Sequence, residues 1–472
     1  MIKLEQLISS GASALLINLI SMALKFGVNL VLAWFLLPDM FGIAAIVTSI
    51  VTGMVLLSDV GINDSIIRHD RGEDRLFCAT AWITQAGRGV LLYAVVYSLA
   101  PFIADFYQLP ELRDYLRFAG LALPIQGLKS VYLIVLQRRM QPLPELWVEL
   151  AAQATAALVM VTLVTQWPTV WVLISAHIVI ALVEVIGSHL LTPRDFYRFS
   201  FSPRFFREIL NFGKWIYIGT LASFLLLNID KLLLGKIESF GTLGIYQVAT
   251  AFSMISYSLA LSLLDRLIYP ALAHSARSSK AQLVASIRQL KRVIFPTVTA
   301  MQLLVFLVAP YFFSLLYPAS FHDAAWMGQM LAVLVWIMLT ADFQGTILVA
   351  HNRPKLFAVV LLATAVLRPL LALLGFYFGG GLQGFIGGMM LGAGFGVVAY
   401  RQLLRKEIGD TGGYEFRLGA LGLATMAVSL LLSRLGTISQ LGTVLVNTAL
   451  GLVIGFAFLW SIRQTLTASQ EA

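Results

Sequence analysis

Apolar runs of roughly twenty residues recur from one end of the chain to the other, separated by short polar stretches. About twenty apolar residues are what a helix needs to cross a bilayer. The pattern predicts fourteen spans, at 8–37, 40–64, 77–104, 114–137, 145–166, 169–192, 211–236, 240–268, 293–316, 325–350, 355–378, 382–402, 416–434 and 441–462. Membrane barrels are written in short alternating strands instead, so the predicted fold class is an all-α polytopic membrane protein. The first run, Leu7 to Pro38, departs from uniform apolarity. Asn18, Ser21, Lys25 and Asn29 step along it by three, four and four. At about 3.6 residues per turn they share one helix face, and Gly11 and Ala14 continue that face with small side chains.

Composition agrees with the pattern. The 472 residues are 59% hydrophobic and 12% charged, with a mean hydropathy of +0.84. The net charge of +9 could point to nucleic acid. Its basic residues cluster in short loops, which the cytoplasmic-loop bias explains better, so no nucleic acid is expected. Loops holding Arg68, Arg71 and Arg75, or Arg194, Arg198, Arg204 and Arg207, alternate with loops holding only Arg113, Arg117, Lys236 or Arg434. Both termini are therefore expected in the cytoplasm. The first run is too long for a cleavable signal, with no cleavage site after it, and is read as a retained span.

Catalytic chemistry finds little support. Cys78 is the sole cysteine, which leaves no disulfide or thiolate metal cluster. The six histidines show no metal-ligand spacing, and no phosphate-cradling Gly-Lys-Ser/Thr loop is present. We expect no enzyme and no cofactor, with coupling to Na⁺ or H⁺ left open.

Ionisable residues inside spans carry the functional signal. Each costs on the order of 2.5–3.5 kcal/mol at the centre of an isolated spanning helix, so each should face a bundle interior or a wet cavity. Lys25, Asn29, Asn18, Ser21, Arg88, Lys129, Ser223, Lys231 and Arg368 are expected to line a substrate cavity. Asp230, Glu149, Glu184 and Asp342 are expected to be structural partners or an ion-coupling site. A cation in a hydrated cavity suits a phosphate or pyrophosphate.

An internal repeat sharpens the picture. Pro38-Asp39-Met40-Phe41-Gly42-Ile43 precedes span 2, and Ser239-Phe240-Gly241-Thr242-Leu243-Gly244-Ile245 precedes span 8. Pairing Gly42 with Gly244 sets Asn18 on Thr220, Ser21 on Ser223 and Asn29 on Lys231, while Lys25 meets Leu227. Two six-span lobes related by a pseudo-two-fold along the membrane normal would produce this. The expected domains are an N-lobe at 1–192, a basic linker at 193–210, a C-lobe at 211–405 and a helix pair at 406–472. Lys25 and Lys231 are expected to face one shared space.

Several segments resemble a known family. Gly213-Lys214-Trp215-Ile216-Tyr217, Leu227-Asn228-Ile229-Asp230-Lys231 and Leu243-Gly244-Ile245-Tyr246 look like spans 7 and 8 of bacterial polysaccharide repeat-unit flippases. So do Ser58-Asp59-Val60-Gly61-Ile62, Arg266-Leu267-Ile268-Tyr269-Pro270 and Ala350-His351-Asn352-Arg353-Pro354 at their positions. These flippases belong to the multidrug/oligosaccharidyl-lipid/polysaccharide export superfamily. The resemblance implies alternating-access transfer of a polyprenyl-pyrophosphate-linked oligosaccharide to the periplasmic leaflet of the bacterial inner membrane. It implies a lipid-linked oligosaccharide and membrane lipid as partners, a polysaccharide polymerase and glycosyltransferases acting alongside, and a monomer. The final helix pair is read as an anchor. The alternatives are a multidrug and toxin extrusion exporter, which would want carboxylates and not Lys25 in its N-lobe cavity, and a non-transport scaffold.

Overall fold

The structure, a computed structural model, describes residues 4–422 apart from 59–60, 195, 197–199 and 416. The predicted span at 441–462, and most of that at 416–434, lie outside the described residues. In chain order the helices are α1 (Leu4–Ala33), α2 (Pro38–Leu57), α3 (Ile62–Arg68), α4 (Arg75–Tyr107), α5 (Leu112–Gly120), α6 (Ala122–Gly127), α7 (Tyr132–Arg138), α8 (Leu143–Val164), α9 (Val170–Leu191), α10 (Pro203–Ile237), α11 (Phe240–Leu263), α12 (Tyr269–Ser278), α13 (Lys280–Leu316), α14 (Ala324–Ala350), α15 (Pro354–Phe378) and α16 (Leu382–Glu407). No strand occurs among the described residues, so the fold class is all-α. Nine of the described helices are long and apolar enough to cross a membrane, or ten if α5–α6 and α7 form one broken span.

Local chemistry places the helix ends. Proline, whose missing N–H would have no acceptor within the helix at the first turn, opens α2, α10 and α15. Asp74 caps α4 by accepting from the Leu76 N–H at 2.7 Å, and Ser279 caps α13 by accepting from the Gln282 N–H at 3.1 Å. Such caps satisfy donors that have no partner inside the helix. The predicted second span is shorter, ending at Leu57, and Gly61, left-handed with φ 65°, starts α3 as a separate short helix.

The chain divides into two compact units, Met1–Val248 and Ala249–Ala472. This division by packing differs from the division by span count, because α10 packs on α2, α3 and α4. In the first unit, Ile66, Phe77, Cys78, Val131, Val135, Phe205 and Ile209 form a core joining α3, α4, α7 and α10. The two repeat segments also meet there. A Cβ on Gly42 would collide with the Phe240 carbonyl, and one on Gly244 would collide with the Pro38 carbonyl. Phe240 is the repeat counterpart of Pro38 in the register that pairs Gly42 with Gly244, so the contact is reciprocal, as two-fold packing of equivalent surfaces requires.

In the second unit, Leu272, Ile287, Phe295, Phe343, Ile347, Tyr400 and Leu404 join α12, α13, α14 and α16. Gly384, Gly388 and Gly392 recur every four residues on α16 and let its backbone touch that of α15. Lys291, on α13, is buried. Its Nζ lies 2.8 Å from Glu415 Oε1, with the two side chains 3% and 1% exposed.

Candidate functional site

The fourth predicted span is broken. Its arms, Leu112–Gly127 and Tyr132–Arg138, meet at 60°. Carbonyls at such a break lose their helical partners, and bare backbone at membrane depth is tolerated only where protein or a wet cavity satisfies it. Here side chains from α4 and α9 do so. Gln85 Nε2 donates to the carbonyls of Gln126 at 3.4 Å, Gly127 at 3.2 Å and Lys129 at 3.0 Å. The Leu128 carbonyl accepts from Trp82 Nε1 at 3.2 Å and lies 2.8 Å from His189 Nε2. The Ser130 N–H donates to Ser188 Oγ at 3.0 Å.

The break places Lys129 in a cavity of about 290 Å³, which Arg88, Glu145, Glu184, Gln85, Gln126 and Asn63 also line. Lys129 Nζ lies 3.6 Å from Glu145 Oε1 and 3.5 Å from Glu184 Oε2. The Arg88 guanidinium donates to the Ser58 carbonyl at 3.3 Å. Two cations thus face two carboxylates, so the cavity is strongly polar but close to neutral overall. An anion entering it must compete with Glu145 and Glu184 for Lys129.

A second cavity, of about 330 Å³, lies toward the other end of α2, α8 and α9. Lys25, Asn29, Thr48, Gln153, His177 and Gln247 supply its polar groups, set among apolar walls that include Ala45, Ala156 and Ala157. Thr48 Oγ1 is 3.1 Å from His177 Nε2. Lys25 is exposed and makes no ion pair among the described residues. The cavities share a helix face: Glu145, Glu149 and Gln153 repeat every four residues along α8. Glu149 feels the charges of both Lys129 and Lys25.

The predicted site residues therefore separate. Arg88, Lys129 and Glu184 share the first cavity, Lys25 and Asn29 share the second, and Glu149 lies between them. Asn18, Ser21 and Ser223 are half-buried and line neither. Lys231 turns back on its own helix, donating to the Leu227 carbonyl at 3.3 Å. Neither cavity contains both Lys25 and Lys231. Asp230, 7% exposed, accepts from the Tyr246 hydroxyl at 2.6 Å.

In the second unit Asp342 accepts from the Tyr257 hydroxyl at 2.9 Å, and Arg368, 5% exposed, points its guanidinium at Met338 Sδ at 3.5 Å. Sequence reasoning missed Glu145, Gln85, Gln153, His177 and Gln247. The fourfold spacing of Glu145, Glu149 and Gln153 was the available signal for two of them.

Comparison with known proteins adds to this geometry. Among curated relatives, the succinoglycan biosynthesis transport protein ExoT of Rhizobium meliloti is 22% identical over 52% of this chain and 50% of its own length. The lipopolysaccharide biosynthesis protein WzxC of Escherichia coli is 22% identical over 74% of this chain and 71% of its own. This chain thus spans only half of the Rhizobium protein. Among solved structures, the lipid II flippase MurJ in an inward closed conformation matches with a TM-score of 0.74 at 12% identity, over 97% of this chain and all of that one. That likeness is one of fold. The family model described as polysaccharide biosynthesis protein matches residues 31–326, well over half of the chain. A match of that extent, on a membrane bundle of this architecture, means that the chain belongs to the polysaccharide biosynthesis protein family.

Proposed function

We propose that the protein is a transporter, not an enzyme, that flips a polyprenyl-pyrophosphate-linked oligosaccharide repeat unit across the bacterial inner membrane for surface polysaccharide synthesis. The Lys and Arg bias of the loops supports a cytoplasmic side for both termini. The observation that carries this reading is the cavity at the broken fourth span. It sets Arg88 and Lys129 inside an apolar bundle, where a pyrophosphate can be bound with part of its hydration removed. Broken helices at membrane depth mark binding sites in many transporters. Curated relatives are named for succinoglycan and lipopolysaccharide biosynthesis, and one structural neighbour is a lipid II flippase.

Binding and release follow from the ion pairs. Glu145 and Glu184 hold Lys129 in ion pairs. H⁺ or Na⁺ arriving at these carboxylates releases Lys129 to the pyrophosphate, and its departure draws Lys129 back. Transport needs such differential affinity between states. The protein works as a monomer, beside the polymerase and glycosyltransferases that consume and supply its substrate.

Glu145 and Glu184 also give the multidrug exporter a specific observation, since carboxylates in an N-terminal cavity suit a cationic drug. Lys129 and Arg88 neutralise them, which favours the lipid-linked saccharide. In a deletion strain, lipid-linked repeat units should accumulate accessible only from the cytoplasm. Wild-type protein should restore export and Arg88→Ala should not. Repeat units reaching the periplasmic leaflet at normal levels without the protein would refute the assignment.

A further inference from the structure

We infer that the second cavity of the first unit is a sugar-recognition site, sized for one pyranose ring of the lipid-linked oligosaccharide. The inference rests on the flippase reading and assigns a separate part of the substrate to a separate place.

Two polar atoms at this cavity have no partner among the described residues. Gln153 Oε1, from α8, and Gln247 Oε1, from α11, are both buried and unpaired, and both side chains line the cavity. A buried acceptor without a donor costs about 1–3 kcal/mol. Two of them at one cavity call for an occupant that donates hydrogen bonds on two sides. A sugar ring does this with its hydroxyl groups.

The remaining lining narrows the chemistry further. Lys25 brings an exposed ammonium, which repels a cationic drug. The unpaired amide oxygens repel a phosphate placed among them. Neither objection applies to a neutral polyhydroxyl ligand, to which Lys25 donates and from which Gln153 and Gln247 accept. The His177 ring is held by Thr48 at 3.1 Å, so this edge of the cavity is fixed before a ligand arrives. Ala45, Ala156 and Ala157 form smooth apolar walls against which the C–H face of a pyranose packs.

The volume of about 330 Å³ lies at the small end of the roughly 300–1,000 Å³ typical of ligand sites. It suits one ring and excludes a whole repeat unit. The helix face bearing Glu145, Glu149 and Gln153 runs from the cavity of Arg88 and Lys129 to this one.

The test uses full-length protein in lipid nanodiscs. The probes are undecaprenyl pyrophosphate, bare or carrying a single glucose, galactose or N-acetylglucosamine, with bound lipid counted by native mass spectrometry. Wild-type protein should prefer at least one sugar-bearing lipid over the bare lipid. Gln153→Met and Gln247→Met remove the amide at nearly constant volume. Each should lower that preference about tenfold, the scale of one lost hydrogen bond in a desolvated site, with bare-lipid binding unchanged.

Ala157→Leu narrows the cavity without touching a polar group and should cause the same loss, which keeps the test open if a glutamine variant fails to fold. Wild-type preference retained in all three variants would overturn the sugar site and leave the flippase reading standing. Equal binding of all four lipids by the wild type would do the same, and would mean that water alone satisfies the two glutamines. Binding of none of them would overturn the flippase reading itself.

Discussion

Two lysines of the first unit meet the cost of a charge inside a membrane bundle in opposite ways. Lys129 sits at a helix break between Glu145 and Glu184, at 3.6 and 3.5 Å. Lys25 sits on an unbroken helix, exposed at a cavity, with no ion pair among the described residues. One charge is compensated by neighbouring carboxylates; the other, among the described residues, is not. A compensated charge is part of the structure, and its removal strands its partners. A charge outside any ion pair adds little to stability, and its removal strands no partner.

Substitutions can break this contrast, and the largest effect falls on Lys129. Lys129→Met leaves Glu145 and Glu184 facing each other in a poorly hydrated cavity. Removing one partner of a buried pair costs on the order of 3–5 kcal/mol, somewhat less here because all three side chains keep some exposure. Folded protein recovered from membranes should fall sharply. Changing Glu145 and Glu184 to Gln in the same chain should restore it. Unchanged yield for the single variant would mean that the ion pairs are not structural.

Lys25→Ala should behave in the reverse way. Exposed positions away from special features change stability by about 0.5 kcal/mol or less, so thermal unfolding in detergent should match wild type while surface polysaccharide is lost. A clear drop in melting temperature would place Lys25 in the same class as Lys129.

Gln85→Leu sharpens the comparison between the cavities. It removes the donor that three carbonyls at the break share, at a cost of about 1–3 kcal/mol. Protease cleavage should rise near residues 126–131, while a cysteine placed at Gln153 keeps its wild-type labelling rate. Faster labelling at both places would show that the cavities are not independent.

The smallest effect concerns the far end of the broken span. Arg139, just past α7, donates to Glu73 Oε2 at 2.6 Å. That hydrogen bond holds the Glu73 carboxyl below its usual value of 4.5. A depressed carboxylate stabilises the fold above its unfolded value, and this contribution is lost as pH falls through the folded value. The pair is well exposed, so it contributes at most about 1 kcal/mol. Glu73→Gln should lower neutral stability by at most about 1 kcal/mol, leave acid stability unchanged and so abolish the small acid-side loss, as followed by thermal unfolding across pH.

The sequence made some of this visible and hid the rest for physical reasons. Helices α1, α8, α9 and α15 were legible because an apolar run of membrane length allows little else. The reciprocal contact of Gly42 and Gly244 follows the repeat register, since a backbone approach of that kind demands glycine on both sides. The break in the fourth span was hidden, because apolar composition continues through it. The groups that satisfy its carbonyls, Gln85 and His189, come from distant positions in the chain. Glu145 was overlooked because it stands in the first turn of α8 and read as the edge of a loop. Gln153 and His177 each read as ordinary polar residues on apolar helices, and only packing shows that they share a cavity. Arg368 and Lys231 read as cavity cations, yet burial and a turn back onto the helix give them other neighbours.

The central claim is that the protein moves a lipid-linked saccharide through cavities of this polarity. The most direct measurement uses proteoliposomes loaded symmetrically with undecaprenyl pyrophosphate carrying a fluorescent-tagged sugar, with a membrane-impermeant quencher added outside. Wild-type protein should make the inner-leaflet pool accessible to the quencher over time. Arg88→Ala and Lys25→Ala should leave about half the fluorescence protected, as in protein-free vesicles where the two leaflets hold equal pools. Protection of the inner pool in wild-type vesicles, equal to that without protein, would contradict the account.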